Sequence, residues 1–214
     1  MNNIYGLVAS FLYIGVIIAT SSLFSKVSKE ASRKFIHIML SNWWFIAMIF
    51  FDNMWFAAIG PTIFVVINYL SYKFNIIKVM EREEKCGLGT VYYALSLLIL
   101  VLITFGLLKN PTIGLIGVLV MGYADGLAAI VGKGVKSPNL KFSKNKKTIA
   151  GSVTMFIVSL IIISGALVYF DVTSWFLKAF VMSIIVAVAE AISIKGTDNL
   201  FVPLLTSGMI FLVI

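Results

Sequence analysis

Long apolar runs separated by short polar stretches fill most of the chain. Runs near the ~20 residues that a helix needs to cross a bilayer recur at 4–24, 35–51, 54–72, 88–108, 111–132, 149–170, 174–194 and 199–214. The second and eighth runs are short. The pattern predicts an all-α, polytopic transmembrane helix bundle of about eight helices, or seven if the last does not cross, in a single domain spanning 1–214.

Composition supports this prediction. The chain is 60% hydrophobic with a mean hydropathy of +1.03, whereas soluble domains are roughly 45–50% apolar, so a water-soluble fold is excluded. The basic residues are confined to short stretches between apolar runs, and the net charge of +8 therefore predicts no nucleic-acid partner. The one cysteine, Cys86, excludes an intrachain disulfide and a multi-cysteine metal site.

The positive charges alternate with the predicted helices. Fifteen of the 17 Lys and Arg residues lie in the odd-numbered connections, and only Lys109 and Lys178 lie in the even-numbered ones. The positive-inside rule then predicts eight crossings, both termini outside and a basic cytosolic face. The expected location is the cytoplasmic membrane of a prokaryote or an endoplasmic-reticulum-type membrane of a eukaryote. Helices two, four, six and eight would begin on the basic face, where their N–H groups favour phosphate.

Two acidic residues lie inside apolar helices. Asp125 follows Pro111 by 14 residues and Glu190 follows Ser174 by 16, so at ~1.5 Å per residue both lie at matching depth in the cytosolic third. A shared Mg²⁺, or one Mg²⁺ and one lysine, would neutralise them. Alternatively, each is a protonated acid or a member of a buried ion pair that only fixes helix packing.

Further polar residues stand near the basic face. His37, four residues after Arg33 on the same helix face, is a proton acceptor, a phosphate contact or an interfacial anchor. Thr148 is placed to cap helix six beside Lys146 and Lys147, which makes this segment the best candidate for phosphate binding.

Two more groups of residues have an expected place. Asp198 either caps helix eight or, with Asn199, adds oxygen ligands to a Mg²⁺ site beside Glu190. Trp43, Trp44 and Trp55 flank the first outer connection. They are expected in the aromatic belt of the membrane interface.

Five segments together resemble a known family. They are SRKFIH at 32–37, LGTVYY at 88–93, GYADGLAAIVG at 122–132, NKKTIAGS at 145–152 and EAISIKGTDNL at 190–200. In this order they resemble the CTP-dependent lipid-alcohol kinases, which include dolichol kinase, phytol kinase and the yeast-type diacylglycerol kinase. The resemblance implies transfer of the γ-phosphoryl group of CTP, or of another nucleoside triphosphate, to the hydroxyl of a membrane lipid alcohol.

The resemblance also implies roles for the residues above, since phosphoryl transfer needs metal, cationic contacts and positioning. Asp125 with Glu190 or Asp198 would hold Mg²⁺, and His37 or Asp125 would accept the alcohol proton. The nucleotide and phosphate contacts would be Arg33, Lys34, Lys133, Lys146, Lys147, Thr148, Gly151, Ser152 and Asn199.

Two other functions stay open. A cytidylyltransferase would use CTP to make a CDP-lipid, but the Asp-Arg-x-Asp string of phosphatidate cytidylyltransferases is absent. An ion-coupled transporter would use the membrane carboxylates as a relay, but few polar residues, such as Asn68 and Ser159, lie outside the cytosolic third. The sequence does not choose between a prenol, such as phytol or dolichol, and diacylglycerol as the alcohol.

Overall fold

The structure is a computed structural model that describes residues 2–25, 29–74, 88–141, 143 and 147–214. Within these ranges the chain is almost entirely helical, with one isolated bridge between Asn139 and Thr148. The α-helices are α1 Asn2–Ser25, α2 Lys29–Ser41, α3 Trp43–Phe50, α4 Met54–Phe74, α5 Gly89–Leu100, α6 Pro111–Leu119, α7 Gly126–Gly134, α8 Ile149–Tyr169, α9 Trp175–Ile192 and α10 Asp198–Val213. Two π-helical segments, Val101–Leu107 and Val120–Asp125, continue α5 and α6.

The helices confirm the predicted number of apolar runs. Six continuous helical stretches are long and apolar enough to cross a membrane, including Gly89–Leu107 and Pro111–Gly134, which combine α- and π-helical turns. The α2–α3 pair and α10 supply the two shorter runs. Large apolar side chains such as Leu12, Ile161 and Leu212 point outward and are 66%, 67% and 80% exposed. The chain is therefore a multi-pass, all-helical membrane protein.

The second apolar run differs from its prediction as one helix over 35–51. It is divided at Asn42, whose side-chain oxygen accepts a hydrogen bond of 3.0 Å from the Tyr123 hydroxyl, while its backbone N–H bonds to Met39 O. The helix also begins earlier, at Lys29. As a result Lys34 lies inside α2 and is buried, although the sequence placed it in a connection.

Glycines bring α2 close to the π-helical segment Val120–Asp125. A Cβ atom built on Gly122 would lie 2.4 Å from the Cβ of Ser41, and one built on Gly126 would lie 2.4 Å from Ile38. Neither space accommodates a larger residue without a shift. The small residues at these positions therefore allow close packing between the two helical segments.

The beginnings of four helices meet at one end of the bundle, as the charge pattern predicted. The Asn199 amide of α10 donates to Gly89 O at the start of α5 over 2.9 Å. Lys147, which directly precedes the α8 cap, bonds to Asp198 at the start of α10. Lys34 of α2 reaches Asp125 at the same end.

The prediction of an interfacial belt is wrong for two of the three tryptophans. Trp43 and Trp44 are 4% and 0% exposed, and their indole N–H groups donate to Ser10 Oγ and Pro111 O over 2.9 and 3.0 Å. They are core residues with satisfied polar edges. Trp55 is 66% exposed.

Candidate active site

Three carboxylates from different parts of the chain meet at this end of the bundle. Asp125 ends the π-helical segment, Glu190 lies near the end of α9 and Asp198 begins α10. One oxygen atom of each lies within 4.8 Å of the others. The two membrane acids, for which the sequence predicted only matching depth, are therefore neighbours, and both are buried.

Lys34 neutralises the first carboxylate. Its Nζ lies 2.6 Å from Asp125 Oδ2, and the two side chains are only 5% and 9% exposed. In the described structure, Asp125 is thus a member of a buried ion pair, one of the interpretations that the sequence left open. A pair so deeply buried needs good geometry, because desolvation opposes it.

Lys147 joins the other two carboxylates. Its Nζ donates to the backbone oxygen of Glu190 over 2.6 Å, to Glu190 Oε1 and to Asp198 Oδ2 over 2.9 Å. Burial of the ammonium opposes its charged form, but the carboxylates of Asp198 and Glu190 outweigh that effect and raise the pKa of Lys147. The lysine is therefore held protonated between them.

The cluster holds more carboxyl groups than lysines. The carboxyl groups of Asp125, Glu190 and Asp198 face Lys34 and Lys147. Glu190 Oε2 is buried without a hydrogen-bond partner among the described residues. Carboxylate oxygens are the ligands that Mg²⁺ prefers, with its remaining positions taken by water or phosphate. The residues present thus fit a magnesium ion.

His37 links this cluster to a neighbouring cavity. Its Nε2 lies 3.1 Å from Met121 O and 3.2 Å from Asp125 Oδ2. Both oxygens accept hydrogen bonds, so Nε2 carries the proton, and Nδ1 of the neutral ring is an acceptor. Tyr93 supports the helix around His37, because its hydroxyl donates to His37 O over 3.1 Å and the two rings meet edge to face at 4.8 Å.

The cavity on the far side of His37 has a volume of about 60 Å³. Its walls come from α2 on one side and from α4, α5 and α10 on the other. The lining residues are Arg33, Ile36, His37, Leu40, Asn68, Gly89, Thr90, Tyr93 and Asn199.

Comparison with known proteins gives the family. The chain is 32% identical to the phytol kinase of Synechocystis over 90% of its own length and 84% of that protein. The chain belongs to the phytol kinase family. It is also 29% identical to a probable chloroplastic phytol kinase 1 of rice and 30% identical to the chloroplastic phytol kinase 1 of Arabidopsis, and it spans 63% and 65% of these longer proteins. No family model and no solved structure matches the chain.

Most of the other residues that were predicted to bind phosphate lie near the carboxylate cluster or the cavity. Thr148 caps α8 as predicted, accepting a hydrogen bond of 3.2 Å from Gly151 N. The buried hydroxyl of Ser152 has no partner among the described residues. Arg33 and Asn199 line the cavity.

The two other expected phosphate contacts are Lys133 and Lys146. Lys133 is exposed near the end of α7. Lys146 lies outside the described residues.

The structure places Asn68 and Tyr93 in the cavity wall, and neither was predicted to be a site residue. Asn68 could have been identified from the sequence, because it is the one amide side chain within the apolar helix α4. Tyr93 carried less, because aromatic residues are common in membrane helices.

Proposed function

We propose that the protein transfers the γ-phosphoryl group of CTP, or of another nucleoside triphosphate, to the hydroxyl of a membrane lipid alcohol at the cytosolic membrane face. The relatives named phytol kinase support a prenol-type alcohol. The observation that carries the proposal is the meeting of three carboxylates with Lys34 and Lys147 beside the N-terminus of α8.

Asp125, Glu190 and Asp198 are the residues that would hold Mg²⁺. When bound, the ion would screen the phosphate charges and help to orient the triphosphate. The positive end of the α8 dipole and the basic residues next to Thr148 would attract the nucleotide phosphates. Lys34 keeps Asp125 ionised and fixes its position.

The chemistry forms one bond and breaks another. The alcohol oxygen attacks the γ-phosphorus, the bond from the γ-phosphorus to the β–γ bridging oxygen breaks, and the nucleoside diphosphate leaves with the electron pair. His37 would accept the alcohol proton at Nδ1, since Nε2–H is already directed at Met121 O and Asp125. This assigns the proton to histidine in preference to Asp125, whose Oδ2 is bonded to Lys34.

Product analysis tests the proposal. Purified protein in nanodiscs is incubated with Mg²⁺, a long-chain prenol and either γ-labelled or α-labelled CTP, and the lipids are extracted and separated. Label from the γ position alone in the lipid, with release of CDP, is the expected result. Label from the α position with release of pyrophosphate would make the protein a cytidylyltransferase. Solute flux in nucleotide-free liposomes, without lipid labelling, would make it a transporter.

A further inference from the structure

The wall of the cavity beside His37 includes two acceptor atoms, on Asn68 and His37. The Asn68 amide donates to Thr90 O over 3.0 Å, which directs its Oδ1 away from that carbonyl. The Nε2–H group of His37 is directed at Met121 O and Asp125 Oδ2, which leaves Nδ1 as its unused acceptor. No described residue bonds to either atom, although Asn68 and His37 are only 7% and 8% exposed. Acceptor atoms that border a cavity can take a hydrogen bond from the hydroxyl of a ligand in it.

The chemistry of these acceptors selects among ligands. A hydroxyl group donates one hydrogen bond, whereas an ionised phosphate has only acceptor oxygens and gains nothing from Asn68 Oδ1 or His37 Nδ1. Ile36 and Leu40 add apolar surface from α2. The part of the wall around Asn68 and His37 therefore fits the hydroxyl of an uncharged, amphipathic alcohol, whereas Arg33, which also lines the cavity, would attract a phosphate.

The position of the cavity gives such a ligand a route from the membrane. α4 packs along α5, and α5 along α10, whereas α2 makes few contacts with α4 or α5. The cavity lies in the resulting gap. Beyond Asn68, the side chains of Tyr69 and Leu70 are 50% and 41% exposed on α4. A site for one water needs about 10–15 Å³, so the ~60 Å³ cavity admits the hydroxyl end of a chain while the remainder stays in lipid.

We infer that the cavity between α2 and the α4–α5 pair is the acceptor subsite, in which Asn68 Oδ1 receives a hydrogen bond from the hydroxyl of a single-chain lipid alcohol and holds it beside His37. The inference rests on the proposed function and deepens it. The nucleotide would then approach from the opposite side of Asp125, where Lys147 and the start of α8 lie.

Photolabelling tests the location without requiring catalysis. A long-chain alcohol with a diazirine next to its hydroxyl is irradiated with the protein in nanodiscs, without nucleotide, and labelled peptides are mapped. We expect label in α2, α4 and α5 that an excess of unlabelled alcohol removes. Leu40→Trp should block it by filling the cavity. Label confined to α8 and α9 would overturn the inference.

Kinetics test the role of Asn68. Asn68→Leu should raise KM for the alcohol about threefold to tenfold, the effect of one uncharged hydrogen bond, and leave KM for the nucleotide unchanged. Thr206→Val is the matched control, because it removes a buried hydroxyl that bonds only within α10, and it should change neither constant. A rise in KM for the nucleotide instead would assign the cavity to the other substrate.

The two proposals can fail separately. If the cavity is labelled but the protein transfers no phosphoryl group, the kinase proposal is wrong and the alcohol site stands. If the protein transfers the phosphoryl group but the label lies elsewhere, the kinase proposal stands and the subsite is wrong.

Discussion

Lys34 and Asp125 are 91 residues apart in the chain, yet the lysine Nζ lies 2.6 Å from the carboxylate Oδ2 in the buried interior. The pair joins α2 to the π-helical segment Val120–Asp125. It also sets the position of His37, one helical turn after Lys34, against the same carboxylate oxygen. The N-terminal part of the chain thus supplies both a counter-ion and a base candidate to the carboxylate cluster.

A double-substitution cycle separates the structural role of this pair from its chemical role. Asp125→Asn and Lys34→Met each leave a buried partner charge without its counter-ion, which typically destabilises a protein by about 3–5 kcal/mol. The double variant removes both charges and should recover most of that stability. Thermal unfolding in detergent measures this effect.

Activity should follow a different pattern in the same cycle. Every variant without the Asp125 carboxylate should lose phosphoryl transfer by about 100-fold or more, including the stable double variant. Full activity of Asp125→Asn would disprove its role in the chemistry. A double variant no more stable than the single ones would disprove the coupling.

Lys147 should control how strongly the cluster depends on divalent cations. Lys147→Met leaves Glu190 and Asp198 facing each other without the ammonium that now bonds to both. We expect a lower unfolding temperature in EDTA and a larger rise on adding Mg²⁺ than in the wild type. Lys147→Arg keeps the charge and is the control, expected to stay close to wild type. An equal response of the Met variant and wild type to Mg²⁺ would argue against a shared cation site.

The sequence predicts the parts of this protein that follow from the cost of placing polar groups in lipid. Long apolar runs give the helices, and the alternation of basic connections predicts that the starts of α2, α5, α8 and α10 share one end. The same cost singles out Asp125 and Glu190, because few ionisable residues lie within apolar runs. The cluster was therefore partly predictable before any contact was known.

What the sequence could not predict depends on packing between distant segments. Nothing local indicates that Lys34 is buried, since its burial depends on the pairing with Asp125. The division at Asn42 depends on Tyr123, 81 residues later in the chain. Tryptophan is typical of the membrane interface. The indole N–H groups of Trp43 and Trp44 nevertheless donate to acceptors in the core.

A glycine substitution should reveal how precisely α2 must be placed. In Gly122→Ala the new Cβ would lie 2.4 Å from Ser41, so α2 must move away from the segment that carries Asp125. Displacements of about 1 Å in an active site can reduce rates about 100-fold, and we expect at least a tenfold loss of kcat. Gly165→Ala in α8 is the control, because no atom lies within 4 Å of its new Cβ. Equal activity of the two variants would contradict the close-packing argument.

The buried oxygen of Glu190 without a described partner predicts cation binding in the absence of nucleotide. Mg²⁺ should raise the unfolding temperature of wild-type protein, and Mn²⁺ should give a bound signal in electron paramagnetic resonance. Glu190→Gln retains an acceptor for Lys147 but removes the charge on the carboxylate, so it should weaken cation binding about tenfold or more.

Ser183→Ala is the matched control on the same helix. It removes a buried hydroxyl that bonds only to Ala179 O, one helical turn earlier, and it should bind the cation as wild type does. A wild-type protein with no thermal shift and no bound Mn²⁺ would show that Lys34 and Lys147 are sufficient counter-ions without nucleotide. A metal would then have to arrive with the triphosphate, since the phosphate oxygens would supply the ligands that the carboxylates alone do not.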